Sequence, residues 1–361
     1  MGVDQIAVLP DRQRAIKVVG AGTLRLEENA ALPQVEDEDI LVRVHCVALN
    51  PFDWKSLDLS PAAGSTFGCD VAGEVVAIGN KCSQNVDVGD RVFGPVKGNA
   101  SDAPENGGFA EYAAIRDVVV WKVPEGMSFE QAATLGMSLM TVGLALHYTL
   151  KVPLPPAPSE RDVSERYLLV YGAGTATGTI AVQCAALSGM LPIVACSPRH
   201  FERMKALGAV ACYDYHNATV AEDVRNYTKQ GLASALDCIT DSASMNVCYN
   251  ALGAKGGRYV GLDQFPIRNH SRRDVRPEWI VAWTVSGEAI RWQRPYRRAP
   301  RPKHKMFGLR WNPVAQQLVN AGLIQIHPMD VRSGGLAAIP EGVDALRKGL
   351  TDGKKLVYSI L

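Results

Sequence analysis

Long apolar runs are missing from this chain of 361 residues; none approaches the ~20 that a membrane helix needs. The start, Met1 to Ile6, lacks the basic region and apolar core of a signal peptide, and the end, Tyr358 to Leu361, carries no lipidation or retention signal. A cytoplasmic protein with no membrane partner is the expectation. Excess charge is missing too. Lys plus Arg number 38 and Asp plus Glu 37, so a net charge of +1 gives no general pull toward nucleic acid. Paired cysteines are the third absence. The eight cysteines form no C-x-x-C, which argues against a zinc ribbon or a disulfide framework and for a reducing compartment. Several lie in apolar strand-like runs, as reduced core cysteines do. With 47% apolar and 21% charged residues the composition is that of a globular protein, long enough for two lobes.

What is present centres on residues 167–178. An apolar run, Leu168 to Tyr171, breaks into Gly172-Ala-Gly174-Thr-Ala-Thr-Gly178, and an apolar helical pattern follows. Strand, glycine turn and helix are the elements that hold a nucleotide's phosphates, on unpaired N–H donors at a helix N-terminus. The third glycine comes one residue later than in G-x-G-x-x-G, so a tight turn of some other α/β protein is the competing reading. The next apolar run ends in Ser197-Pro198-Arg199-His200, with no carboxylate to bind a ribose 2′-hydroxyl. A hydroxyl beside a guanidinium suits a 2′-phosphate, which favours NADPH over NADH. The plainer alternative is an Arg199 that merely sits exposed at a helix start.

In chain order, residues 24–133 read as short strands with glycine turns, a small barrel-like β-domain. A helix is expected over 128–150, with Ser128 as N-cap and Gln131 completing a capping box. Residues 152–160, rich in proline, read as a surface loop. Strands are expected at 167–172, 192–197, 211–215, 235–240, 257–262 and 280–286, with helices between most, hence a parallel sheet covered on both faces. Residues 323–361 return to short strands and one helix near Gly342 to Gly349. From Glu288 to Arg310 the chain holds eight Lys or Arg against one acid, with three prolines. A solvated, mobile loop or a dock for an acidic partner would both fit.

Four motifs precede the nucleotide turn in order: Ala48 to Lys55, Gly68 to Val75, Val88 to Gly94 and Gly107 to Tyr112. Together they resemble the medium-chain dehydrogenase/reductase superfamily, quinone-oxidoreductase branch. The resemblance implies an α/β chain with a GroES-like β-barrel lobe (1–133 and 323–361) around a Rossmann doubly wound parallel sheet (134–322). In the alcohol-dehydrogenase branch, zinc ligands fall where this chain has Asn50 and Cys69-Asp70, and a structural zinc lobe needs four cysteines around residues 95–110 that are not there. Catalytic zinc needs three protein ligands, so no metal is expected, and reduction of an activated alkene is favoured over alcohol oxidation.

Within the branch the chain is most similar to the trans-acting enoyl reductases of fungal polyketide synthases. The residues concerned are Asn50 to Lys55, Gly172 to Thr177, Ala195 to Pro198, Asp214-Tyr215, Leu236 to Thr240 and Gly257 to Leu262. The resemblance implies NADPH-dependent reduction of an α,β-unsaturated polyketide thioester on the acyl-carrier domain of a partner synthase. It implies cofactor contacts from Pro51, Phe52, Asp53, Trp54, Thr175, Ala176, Thr177, Gly178, Ser197, Pro198, Arg199, His200, Tyr215, Leu262, Asp263, Lys355 and Leu356. The acyl chain would be lined by Gly136, Met137, Ser138, Leu139, Met140, Thr141, Val142 and Gly143, and by Trp283, Thr284, Val285, Ser286 and Gly287. Phe52 and Trp54 are larger than the family's usual residues there, which implies a narrower pocket floor. Lys55 is the candidate to meet the developing enolate charge, and Thr141 to bond nicotinamide or substrate. A surface lysine and a threonine bonded to its own helix are the alternatives, and Asp53 reads as a turn-capping residue. A free-standing quinone or enone reductase and a catalytically silent nucleotide-binding relative are the other functions the pattern admits. Arginines and prolines after the expected edge strand 281–286 discourage edge pairing, hence a monomer.

Overall fold

A computed structural model of the chain describes residues 9–156 and 166–360. The strands in chain order are β1 (Arg12–Gly20), β2 (Thr23–Ala31), β3 (Asp39–Ala48), β4 (Asp70–Ile78), β5 (Arg91–Pro95), β6 (Tyr112–Arg116), β7 (Trp121–Lys122), β8 (Tyr167–Tyr171), β9 (Leu191–Cys196), β10 (Ala211–Asp214), β11 (Ser234–Asp237), β12 (Gly257–Gly261), β13 (Val275–Trp279), β14 (Met329–Arg332) and β15 (Lys355–Ser359). The helices are α1 (Pro51–Leu59), α2 (Phe129–Ala133), α3 (Gly136–Val142), α4 (Ala176–Leu187), α5 (Phe201–Ala206), α6 (Val220–Tyr227), α7 (Ser242–Ala251), α8 (Pro302–Asn320) and α9 (Ile339–Arg347). The chain divides into two compact units, one of Met1–Met137, Trp283–Asn312 and Pro328–Leu361, the other of Ser138–Ala282 and Pro313–His327. Residues 283–312, expected in the nucleotide lobe, thus fall with the first unit. Part of the proline-rich stretch 152–160 lies outside the described residues.

In the first unit, β14-β15-β3-β4-β5-β7 form one sheet, with β6 also paired to β3. Strand β15, from the far end of the chain, runs antiparallel to β3. Gly73 lies where β4 passes closest to β3; a Cβ there would run into the Arg43 carbonyl, which accounts for the glycine inside a strand. Strand β1 was not foreseen, although Ala15, Ile16 and Val18 are buried.

In the second unit six parallel strands take the order β10-β9-β8-β11-β12-β13. Counted within the sheet this is 3-2-1-4-5-6, the doubly wound dinucleotide order, with its switch point between β8 and β11. Leu168, Leu169 and Val170 are fully buried, as a central parallel strand requires. The sixth strand is not at 280–286. That segment holds a 3-10 turn (Ala282–Ser286), and the strand is β13. Pro277 hides it, since proline lacks an N–H, but an edge strand needs hydrogen bonds on one side only. The argument for a monomer from arginines flanking 281–286 falls with that correction.

Two further expectations are corrected. The single helix over 128–150 is broken into α2, α3 and a wide π-helical stretch, Gly143–Thr149. The Ser128–Gln131 capping box is present, with Gln131 N–H donating to Ser128 Oγ at 3.2 Å. The basic stretch 288–310 is not a solvated, mobile loop. Ile290, Trp292 and Tyr296 are buried, Ile290 bridges Arg298, and residues 302–310 open α8. Pro302 at its start and Pro313 inside it had masked a 19-residue helix.

Candidate active site

In the first unit the site is built around α1. Pro51 takes the first helical position, where a missing N–H costs nothing. Asp53 reaches back to accept the Asn50 backbone N–H at 2.6 Å. Asn50 Nδ2 donates to Asp70 Oδ2 at 2.9 Å. Into the same place comes Lys355 from β15. Its Nζ donates to Asp70 Oδ2 at 2.7 Å, to Asn50 Oδ1 at 3.0 Å and to the Thr134 carbonyl at the end of α2 at 3.0 Å. The other Asp70 oxygen accepts the Met137 N–H at 2.7 Å. The side chains of Lys355 and Asp70 are 2% and 0% exposed. Lys355, expected beside the cofactor, therefore spends its three N–H donors on a buried network, and Leu356 is buried next to it.

The network occupies the positions that carry zinc ligands in the alcohol-dehydrogenase branch. The donors present do not fit a metal: the Lys355 ammonium already occupies the Asp70 and Asn50 oxygens, and burial holds the Cys69 thiol well above its ordinary value. No group of three or more potential ligands occurs among the described residues. Sequence reasoning missed the network itself, though a lysine opening an apolar strand is a signal that an acid must meet it.

Asp53 is fully buried, and burial pushes its carboxyl up to about 7, against the opposing pull of the Asn50 N–H and the Cys69 thiol. A carboxyl whose folded pKa stands above its unfolded value contributes stability at low pH and loses it as pH rises through the folded pKa. Asp53→Asn keeps an acceptor for the Asn50 N–H and cannot ionise. Its stability relative to the wild type is expected to improve between pH 5 and pH 8, read from urea midpoints; a gap that stays constant would contradict the assignment.

Lys55, on the same helix, is half-buried, with its ammonium 5.9 Å from the Trp54 ring centroid. Phe52 packs on Trp292 and Tyr296 at 4.9 and 5.2 Å. Of the second set of residues expected to line the acyl chain, Trp283, Thr284 and Val285 are buried in this unit, and Gly287 has φ +83 against the Lys305 side chain. Gly136 and Met137 belong to this unit as well, and a Cβ on Gly136 would lie 2.8 Å from Asp70 Oδ1.

In the second unit the glycine turn leaves β8 beside the switch point. Gly172 has φ +76, which favours glycine. Thr175 caps α4: its Oγ accepts the Gly178 N–H at 3.0 Å and donates to the Gly172 carbonyl at 2.9 Å. A Cβ on Gly178 would lie 2.5 Å from that carbonyl, and one on Gly174 2.7 Å from the His200 ring. The displaced third glycine thus serves the close strand–helix approach, and the cradle fits a dinucleotide's phosphates. Beyond β9, Arg199 is exposed, and its Nε donates to His200 Nε2 at 3.3 Å. Tyr215 is exposed and set edge-on to Tyr171. At the end of β11, buried Asp237 accepts the Ser244 and Tyr259 hydroxyls at 2.6 and 2.8 Å and the Ile239 and Thr240 N–H groups. Thr240 Oγ in turn accepts the Leu262 N–H at 2.9 Å, which fixes the turn that carries Leu262 and Asp263. This hub was not read from the sequence. Ser138 to Gly143 lie in the second unit and are buried, Thr141 among them at 8% exposure.

The comparisons with known proteins agree with both units. The family described as "Alcohol dehydrogenase GroES-like domain" matches residues 36–125, and "Zinc-binding dehydrogenase" matches 176–266. The trans-enoyl reductase iccB of Talaromyces variabilis is 45% identical over 98% of this chain and 97% of its own length. The chain belongs to the trans-enoyl reductases. This family sits in the medium-chain dehydrogenase/reductase superfamily, whose members use a nicotinamide cofactor. The trans-enoyl reductase iliB of Neonectria sp. (strain DH2) is likewise 45% identical, over 98% of this reductase and 97% of its own chain. Among solved structures, the CurK enoyl reductase superposes with a TM-score of 0.74 at 19% identity, covering 97% of this chain and 99% of its own, which shows the fold. For this enoyl reductase no described helix is long and apolar enough to cross a membrane.

Proposed function

We propose that this enoyl reductase uses NADPH to reduce the α,β-double bond of a polyketide thioester held on the acyl-carrier domain of a partner synthase. The observation that carries this is near full-length identity of 45% to proteins named trans-enoyl reductases. In this reading Thr175, Ala176, Thr177 and Gly178 hold the pyrophosphate on the N-terminus of α4. Ser197 and Arg199, with His200 orienting the guanidinium, hold the 2′-phosphate. Tyr215 covers the adenosine. Pro51, Phe52, Trp54, Pro198, Leu262 and Asp263 complete the cofactor contacts, while the buried Asp53, Lys355 and Leu356 support α1 and β15 without touching the cofactor.

When bound, the nicotinamide supplies the hydride that the β-carbon receives. Negative charge then develops on the thioester oxygen. Lys55 meets it with an ammonium, and Thr141 offers a hydroxyl. Protonation at the α-carbon completes the saturated product. Residues 136–143 and 283–287 line the acyl chain.

Co-expression with a synthase whose own enoyl reductase is inactive tests the function. A product heavier by two hydrogens per reduced double bond is expected; an unchanged mass overturns the reading. Cofactor choice is tested by Arg199→Ala. Loss of a charge-assisted bond to a phosphate is expected to raise KM for NADPH about 10- to 100-fold. KM for NADH should stay nearly constant. Equal affinity of the wild type for both dinucleotides would refute the NADPH assignment.

A further inference from the structure

We infer that the face formed by the 294–310 segment docks the acidic surface of the carrier domain that delivers the thioester; the inference rests on the function proposed above and names the surface that partner meets. Of the eight cations between residues 291 and 310, three are engaged. Lys305 pairs with Glu38 at 2.6 Å, Arg291 approaches Asp102 at 3.9 Å, and Arg298 donates to the Pro295 and Arg297 carbonyls. The one acid between residues 288 and 310, Glu288, is taken by Arg116 at 3.0 Å. Arg294, Arg297, Arg301, Lys303 and Arg310 are exposed, and among the described residues none has an ion-pair partner.

Apolar groups lie among them. Met306 is 68% exposed and Leu309 39%. Lys303, Met306 and Arg310 are spaced by three and four residues, so one face of α8 presents cation, methionine and cation in a row. The flank next to this face is anchored, with Phe307 and Trp311 buried. A run of like charges repels itself, and an exposed methionine is unfavourable in water; a partner with acids around an apolar centre relieves both. An acyl-carrier domain whose cargo hangs from a phosphodiester-linked arm has that sign.

The residues that lead into the face join it to the site. Trp292 Nε1 donates to the Asn99 carbonyl at 2.8 Å, the Gln293 N–H donates to Ser60 Oγ at 2.8 Å, and Trp292 and Tyr296 pack on Phe52 of α1, the helix that carries Lys55.

The test compares crotonyl carried on the phosphopantetheine of a polyketide-synthase carrier domain with crotonyl-N-acetylcysteamine as a small thioester. The variants are Arg297→Glu/Arg301→Glu/Lys303→Glu and, separately, Met306→Ser. For the triple variant, kcat/KM on the carrier-bound substrate is expected to fall at least about 10-fold, through KM, and the wild-type value to fall with added salt. The small thioester, whose rate also reports a folded enzyme, should change less than about 2-fold. Carrier-bound kinetics unchanged in both variants would overturn the docking face, as would parallel losses on both substrates. A wild type that reduces neither thioester with NADPH would instead overturn the function on which the inference rests.

Discussion

Lys55→Ala is expected to lower kcat on an enoyl thioester by about 10²–10³-fold with little change in KM, the range for losing one preorganised group at a developing oxyanion. In the proposed role, Lys55 would meet a charge that forms only as hydride arrives, so its loss would fall on the transition state and not on ground-state binding. Lys55→Arg keeps the charge and should recover part of the rate. Position supports the role. Lys55 lies on a helix whose start is fixed by Pro51, Asp53 and Asn50, and Asn50 is held by Asp70 and Lys355. Steady-state kinetics with crotonyl-N-acetylcysteamine decides it, and a variant with unaltered kcat would remove Lys55 from the chemistry.

Lys355→Met should destabilise the protein by about 3–5 kcal/mol, because it strands a buried carboxylate. Asp70 would keep the Asn50 amide and the Met137 N–H but lose its counter-charge, and the Thr134 carbonyl would lose its donor. The measurement is the urea midpoint of Lys355→Met against the wild type. Adding Asp70→Asn to the same chain removes the stranded charge and should restore much of the loss. If the single variant cost less than about 1 kcal/mol, the pair would not be the buried ion pair described here.

The second unit was the more legible in sequence. Leu168 to Tyr171 and Pro192 to Cys196 are continuous apolar runs bounded by glycine or proline, and central parallel strands have that signature. The turn at Gly172 to Gly178 announces itself because only small residues survive so close an approach. Elements that depart from their local preference were illegible. Strand β13 contains Pro277, α8 contains Pro313, and both rely on neighbours to offset what proline removes. The aromatic anchors Trp292 and Tyr296 sit among arginines, so local charge suggested solvent where packing prevails. At the site, the capping role of Asp53 was readable from six consecutive residues, but those residues read as a turn and the helix α1 that they open was not expected. The Lys355–Asp70 pair was not, since its partners are 285 positions apart and nothing local marks one as the other's counter-ion.

That separation bears on how the chain is made. Strands β3 and β4, α1 and α2 emerge from the ribosome long before Lys355 exists. Until it arrives, β3 lacks its neighbour β15 and Asp70 has no cation. The first unit therefore reaches its native state only after synthesis of its last strand. The glycine-turn unit, complete up to His327 by then, has no such wait. Substitutions that slow closure of the β3–β15 pairing should lower soluble yield in cells more than they lower the equilibrium stability of purified protein.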